Sequence, residues 1–135
     1  MTTGIRERGI ETIHDEVVSQ IAQRWAKAFH CRVTTKTGLE QYPCADGDQQ
    51  CDIVGWYVSS GRNSMEWMAE VETAESLADD GTKARWHKTV VRGVPIYLLV
   101  PLGQKERAQS IALEAGVMFT CIYEYSFLND VCHIV

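Results

Sequence analysis

No apolar run in this sequence is long enough to cross a membrane. The longest, around Val94 to Leu102, holds two prolines, whereas a spanning helix needs about 20 apolar residues. No apolar stretch follows the charged start Arg6-Glu7-Arg8, so a secretory signal is not expected. Five cysteines are present (Cys31, Cys44, Cys51, Cys121 and Cys132), an odd count with no CxxC pair. A complete disulfide framework is therefore excluded, and reduced thiols are expected. No phosphate-binding glycine loop exists, because Gly4, Gly9, Gly38 and Gly47 fit neither the GxGxxG nor the P-loop pattern. No Ser-His-Asp or Cys-His arrangement can be read from spacing. Basic excess is lacking too: 13 Lys and Arg stand against 18 Asp and Glu, for a net charge of -5. That balance argues against coating nucleic acid by bulk charge, although it leaves room for a local basic face. A cytoplasmic protein without membrane contact is expected.

What is present is ordinary globular composition. The chain has 135 residues, 45% hydrophobic and 23% charged, which predicts one domain with a sizeable core. Apolar residues at Ile13, Val17, Ile21, Trp25 and Ala28/Phe29 predict a helix over 11–29, with Thr12 as cap and Asp15 and Glu16 at its positive end. β-branched content predicts a strand over 31–36. Pro43, Asp46, Gly47 and Asp48 make 42–50 a turn region. Strands over 51–58 and 65–72, joined by a loop over 59–64, form a hairpin. Asp79-Asp80-Gly81 then interrupts the chain. A helix is predicted over 82–92, with Gly93 and Pro95 as its stop. The apolar run 96–100 reads as a strand buried on both faces. An amphipathic helix over 104–115, ended by Gly116, precedes a last strand over 118–125. This order predicts an α/β domain with a mixed central sheet and helices on both faces, a three-layer α/β/α architecture.

The chemistry concentrates on the hairpin. Along 65–72, Met65, Trp67, Ala69 and Val71 face one side, and Glu66, Met68, Glu70 and Glu72 face the other. Glu70 and Glu72, two apart on one strand, project to one face roughly 7 Å apart. Register across the hairpin can bring Asp52 beside Glu70. Three such carboxylates repel one another unless a divalent cation neutralises them, and hard oxygen ligands suit Mg²⁺ or Mn²⁺. Phosphodiester hydrolysis is the reaction that fits such a centre. The competing reading is a solvated outer face of alternating glutamates.

At Asp52 in Cys51-Asp52-Ile53-Val54, and at Glu70-Val71-Glu72, the sequence resembles the PD-(D/E)XK nuclease superfamily. The order of helix, three-strand meander, crossover helix and strand is shared, and Thr73-Ala74-Glu75-Ser76, Lys83, Trp86 and the strand ending at Pro101 look like the segments after the motif in small bacterial members. The resemblance covers about residues 12 to 125 and implies a restriction endonuclease-like fold. It implies metal-dependent hydrolysis of DNA, with Asp52, Glu70 and Glu72 as metal ligands and Glu16 as the added acid of the first helix. It also implies a homodimer. Cys51 stands in the place of the motif proline, and Glu72 in that of the lysine that supplies positive charge near the attacking water. Some restriction enzymes of the superfamily use glutamate there. In others the lysine has moved to the neighbouring helix, where Lys88, then Lys83, are the candidates here. A catalytically inactive member that binds a protein or nucleic-acid partner is the alternative.

On the 82–92 helix, Arg85, Lys88 and Arg92 recur at helical spacing and, with Lys83, form a candidate face for a phosphate backbone. A solvated face is the plainer reading. His14 and His87 are possible acid/base groups or ordinary packed histidines. Trp56 or Trp67 would stack a base if exposed, but tryptophans are most often core. A zinc site of Cys44, Cys51, Cys132 and His133 lacks short chelate spacing, so buried small hydrophobes are the expectation for the cysteines.

Overall fold

The computed structural model describes residues 10–36 and 49–135. Cys44, most of the 42–50 turn and the Thr12 capping side chain lie outside the described part. The elements run α1 (Ile10–Phe29), β1 (Arg32–Thr35), β2 (Ile53–Ser59), β3 (Arg62–Val71), α2 (Ala74–Ala78), α3 (Thr82–Thr89), β4 (Ile96–Pro101), α4 (Lys105–Ala115), β5 (Cys121–Leu128) and β6 (Val131–Ile134). Six strands form one sheet in sequential order, β1 to β6. β1, β2 and β3 pair antiparallel, β3 with β4 and β4 with β5 pair parallel, and β5 with β6 pair antiparallel. The two parallel pairs are the ones whose strands are joined by helices, because a parallel return needs a crossover. The domain is thus α/β with a mixed sheet.

Alternation along the strands sends side chains to two core regions. Val17, Val18, Ile21 and Ala22 of α1 cluster with Ile53, Trp67, Ala69, Val71 and Leu99. Leu77 of α2, Trp86 of α3, and Ala108 and Ala112 of α4 cluster with Leu98, Val100 and Ile122. Leu99 therefore belongs to one core and its neighbours Leu98 and Val100 to the other, as expected of a strand covered on both faces. The expected apolar stripe of α1 is narrower than its spacing suggests, since Ile13 and Phe29 are about half exposed.

Several boundaries differ from expectation: β3 begins at Arg62, inside the expected 59–64 loop, and β5 runs Cys121–Leu128 where 118–125 is expected. The 82–92 helix ends at Thr89, and Val90 is already extended, at φ -66° and ψ 129°. The β-branched pair Val90-Val91 ahead of Gly93 and Pro95 disfavours another turn. Arg92 consequently lies off the helix. The short segment before it is a capped helix: Thr73 and Ser76 form a reciprocal capping box at the start of α2. The strand expected to end the fold continues through a hairpin. Asn129 and Asp130 both have positive φ, 52° and 63°, a conformation these two residue types tolerate in a two-residue turn.

That hairpin makes β6 an edge strand, and α1 seals it. Gln20 Oε1 accepts the Cys132 N–H at 2.8 Å, and Arg24 Nη2 donates to the Cys132 carbonyl at 2.8 Å. The side chains occupy backbone groups that would otherwise invite another strand. They also hold α1 against the sheet edge.

One close approach is obligatory. A Cβ on Gly55 would sit 2.2 Å from Trp67 Cε2, so only glycine lets the indole lie flat on β2. Gly55→Ala should cost about 2 kcal/mol through overpacking. Urea denaturation measures it, and a wild-type midpoint would mean that the indole can retreat.

Candidate functional site

The site lies where β3 ends. Glu70 is in β3, Glu72 is one residue past its end, and Asp52 immediately precedes β2. Ile53 pairs with Ala69, so continuing the ladder sets Asp52 against Glu70. The Asp52 N–H donates to Glu70 Oε1 at 3.0 Å, and the Val71 N–H donates to Asp52 Oδ2 at 2.9 Å. All three acids are buried, with Asp52 6%, Glu70 2% and Glu72 1% exposed. They border an open cleft of about 580 Å³, whose lining includes His14, Asp15, Lys36, Thr73, Ser76, Asp79 and Arg85.

Buried carboxylates need compensation, and the chain supplies it. Glu72 accepts two bonds from the Arg85 guanidinium, 2.8 Å from Nη1 to Oε2 and 3.1 Å from Nη2 to Oε1. Trp86 Nε1 donates to Oε2 at 2.8 Å, and Ser76 Oγ donates to Oε1 at 2.5 Å. Two lone pairs per oxygen are thereby spent. Arg85 Nη1 also lies 3.7 Å from Glu70 Oε2, and Thr89 Oγ1 donates to that oxygen at 3.3 Å. On the other side, His14 Nε2 donates to Asp52 Oδ2 at 3.2 Å, and His14 Nδ1 meets Asp15 Oδ1 at 3.1 Å.

The protonation states follow from this packing. Burial works against a charge on His14, but the hydrogen bond and charge of Asp52, joined by Asp15, raise its pKa to about 9. Burial would push Asp52 up, yet His14 and the Val71 amide hold its carboxyl below the ordinary range. Glu70 moves far the other way, because burial and the adjacent Asp52 charge both oppose its ionisation. The neighbouring carboxylates, above all Glu72, hold the Arg85 guanidinium more firmly protonated than usual, against its own partial burial. The acids are thus met by two basic groups, His14 beside Asp52 and Arg85 on Glu72, while burial and the Asp52 charge make Glu70 hard to ionise.

A divalent cation shared by Asp52, Glu70 and Glu72 does not fit this arrangement. Glu72 has no lone pair left to offer, and its four hydrogen bonds come from three residues on two helices, Ser76 of α2 and Arg85 and Trp86 of α3. Among the described residues, no group of three or more His, Cys, Asp or Glu side chains is placed to hold a metal ion. The charge offset that the sequence reading assigned to Mg²⁺ or Mn²⁺ is provided internally by His14 and Arg85.

The other candidates are dispersed. Glu16 is exposed and accepts from Gln20 Nε2 at 3.1 Å, so the α1 groups facing the acids are His14 and Asp15. Lys83 pairs with Glu114 at 2.6 Å. Lys88 is exposed and is not among the cleft-lining residues. Arg85, Lys88 and Arg92 do not form one basic face, since Arg85 turns to Glu72 and Arg92 follows the helix end. His87 contacts the Ala115 carbonyl at the end of α4. Trp67 is 5% exposed, which removes it as a stacking platform, and Trp56 is half-buried with its indole N–H donated to Thr34 Oγ1 at 2.8 Å. Cys51 and Cys132 are buried in separate cores, so they are not gathered with His133 for zinc.

Sequence reasoning set His14 aside and grouped Arg85 with surface cations. A signal was present for Arg85. A glutamate at the end of a buried strand needs a donor set, and Ser76, Arg85 and Trp86 follow it within two short helices. No family model matches the chain, and no curated protein or solved structure matches it significantly.

Proposed function

We propose that the chain is a non-hydrolytic domain of PD-(D/E)XK-like, three-layer α/β/α build, and that it works by binding a protein partner. The antiparallel β1–β3 meander followed by a helical crossover to parallel β4 supports the fold part of this reading. The observation that carries the functional part is the bidentate Arg85–Glu72 pair, completed by Trp86 and Ser76. It turns the motif position that would supply a free cation into a buried structural tie. A protein partner is favoured over nucleic acid by the net charge of -5. Two of the four cations of the candidate basic face are also engaged with acids, Lys83 with Glu114 and Arg85 with Glu72, which weakens that face as a source of counterion release.

The test is incubation of the full chain with single- and double-stranded DNA in Mg²⁺ or Mn²⁺, beside Glu70→Ala. No cleavage by either protein is expected. Cleavage by the wild type that Glu70→Ala lacks would overturn the reading in favour of metal-dependent phosphodiester hydrolysis at Asp52 and Glu70. A gel-shift with the same DNAs at physiological salt should show no complex, and a salt-sensitive complex would replace the protein partner by nucleic acid.

A further inference from the structure

Of the described aspartates, Asp15, Asp52, Asp79, Asp80 and Asp130, only Asp80 is followed by glycine. The other Asp-Gly pair of the chain, Asp46-Gly47, lies outside the described residues. Asp80 and Gly81 are both exposed, in the link between α2 and α3. The Thr82 N–H closes a turn over them by donating to the Asp79 carbonyl at 3.2 Å. Gly81 caps α3 with φ -79° and ψ -6°. Its own N–H is one of those that a helix start leaves without an intrahelical acceptor, and it has no hydrogen-bond partner among the described residues. The space beside its Cα is open as well, since a Cβ there would meet only Asp79 Oδ2 within 4 Å, at 3.6 Å. A free backbone nitrogen thus follows an exposed carboxyl, with room beside it.

We propose that Asp80-Gly81 is a modification site at which the chain rearranges its own backbone to isoaspartate, and that the change loosens the hold of α3 on Glu72. The Gly81 nitrogen attacks the side-chain carboxyl carbon of Asp80. An N–C bond forms and a C–O bond breaks, and the oxygen leaves as water with the amide proton and the carboxyl proton. The product is a five-membered cyclic imide. Water then adds at its main-chain carbonyl and breaks the C–N bond there, so that the chain runs through the Asp80 side chain. A water is lost and a water regained, and no oxidant or reductant enters the balance. Glycine matters because a side chain on the attacking residue would crowd the ring. Asp52 is buried and precedes Ile53, and exposed Asp130 precedes Val131, so both adjoin a stiff β-branched residue. The consequence falls on α3, because isoaspartate puts an extra atom in the main chain just before it. The Thr82 N–H bond to Asp79 spans that link, the Gly81 carbonyl accepts the Arg85 N–H at 3.0 Å, and Thr82 Oγ1 donates to the Ser76 carbonyl. Arg85 and Trp86, which supply three of the four bonds to Glu72, follow within the next turn.

The experiment incubates the full chain for weeks in mildly alkaline buffer. A protease that cleaves before aspartate but not before isoaspartate then cuts it, and peptide mass spectrometry measures the uncut fraction at each site. The Asp80 fraction should exceed the Asp130 fraction several-fold, and Gly81→Ala should bring it down to the Asp130 level. That variant should fold, because φ -79° suits alanine and its Cβ would stand at ordinary contact distance from Asp79. Equal fractions at Asp80 and Asp130, or an Asp80 fraction unchanged in Gly81→Ala, would overturn the modification site. The form changed at Asp80 alone, separated by ion exchange, should unfold at a lower urea concentration than the parent chain. An unchanged midpoint would overturn the effect on α3.

Discussion

Arg85→Met should destabilise the fold by about 3–5 kcal/mol, the cost of leaving a buried charge without its partner. The charge is that of Glu72, which is 1% exposed and loses two of its four donors in the variant. Trp86 and Ser76 remain, but neither carries a charge. Arg85→Lys should recover only part of the loss, since an ammonium cannot reproduce the two-point fork on a carboxylate. The double variant Glu72→Gln with Arg85→Met should be more stable than Arg85→Met alone, because no unpaired charge remains inside. Urea denaturation of the four proteins forms the comparison. An Arg85→Met midpoint close to wild type would show that Glu72 is compensated from elsewhere, and the structural role assigned to the pair would fall.

Loss of the His14 charge should be the second large effect. His14 has a folded-state pKa of about 9 against 6.5 in the unfolded chain. A raised folded value means that the stability it contributes is complete below pH 6.5 and disappears as the pH rises through about 9. The shift corresponds to about 2–3 kcal/mol once partial exposure of the ring is allowed for. Two other groups act on the acid side. Asp52, held low, contributes stability present above its unfolded value and lost as the pH falls through the folded one. Glu70, held high, contributes in the opposite sense, with stability that declines as the pH rises from its unfolded value toward the folded one. Unfolding free energy should therefore fall between pH 6.5 and 9 in the wild type and fall less in His14→Gln. Parallel curves for the two proteins across that window would show that His14 does not carry the charge on Asp52.

These two expectations concern one physical problem. Three acids converge at the end of β3, and a fold that buries them must provide compensating charge and hydrogen-bond donors. A metal ion is one solution to that problem, and an arginine with a histidine is another. The second solution is built into the chain, because both cations are carried by its helices, His14 by α1 and Arg85 by α3. It also fills the lone pairs of Glu72, which leaves that carboxylate no position for a cation.

Much of this architecture is legible in the residue order. Period-two alternation along β3 correctly divides Trp67, Ala69 and Val71 from Met68, Glu70 and Glu72. The buried run at 96–100 marks the strand shared by both cores. Gly116, with φ 72°, ends α4 where a left-handed residue is wanted. The β6 hairpin was overlooked because Asn129-Asp130 lies among mixed residues near the chain end, yet it is a turn pair whose positive φ values are typical of a two-residue loop.

The sequence by itself determined eight of the ten elements and their order, without α2 and β6, together with the mixed sheet and the meeting of Asp52 with Glu70 across a hairpin. Those follow from short-range periods and turn chemistry, which act within a few residues. Only the tertiary structure decided what neutralises the acids. Whether Arg85 faces solvent or Glu72 depends on where α3 starts after the Asp79-Asp80-Gly81 break and on the angle at which it packs over β3. Whether His14 or Glu16 meets Asp52 depends on the rotation of α1 about its own axis, set by the contacts of Val17, Val18 and Ile21 with the sheet. A rotation of one helical position, about 100°, exchanges a surface side chain for a buried one. Spacing along the chain does not encode that angle, and the packing of two cores against one sheet does.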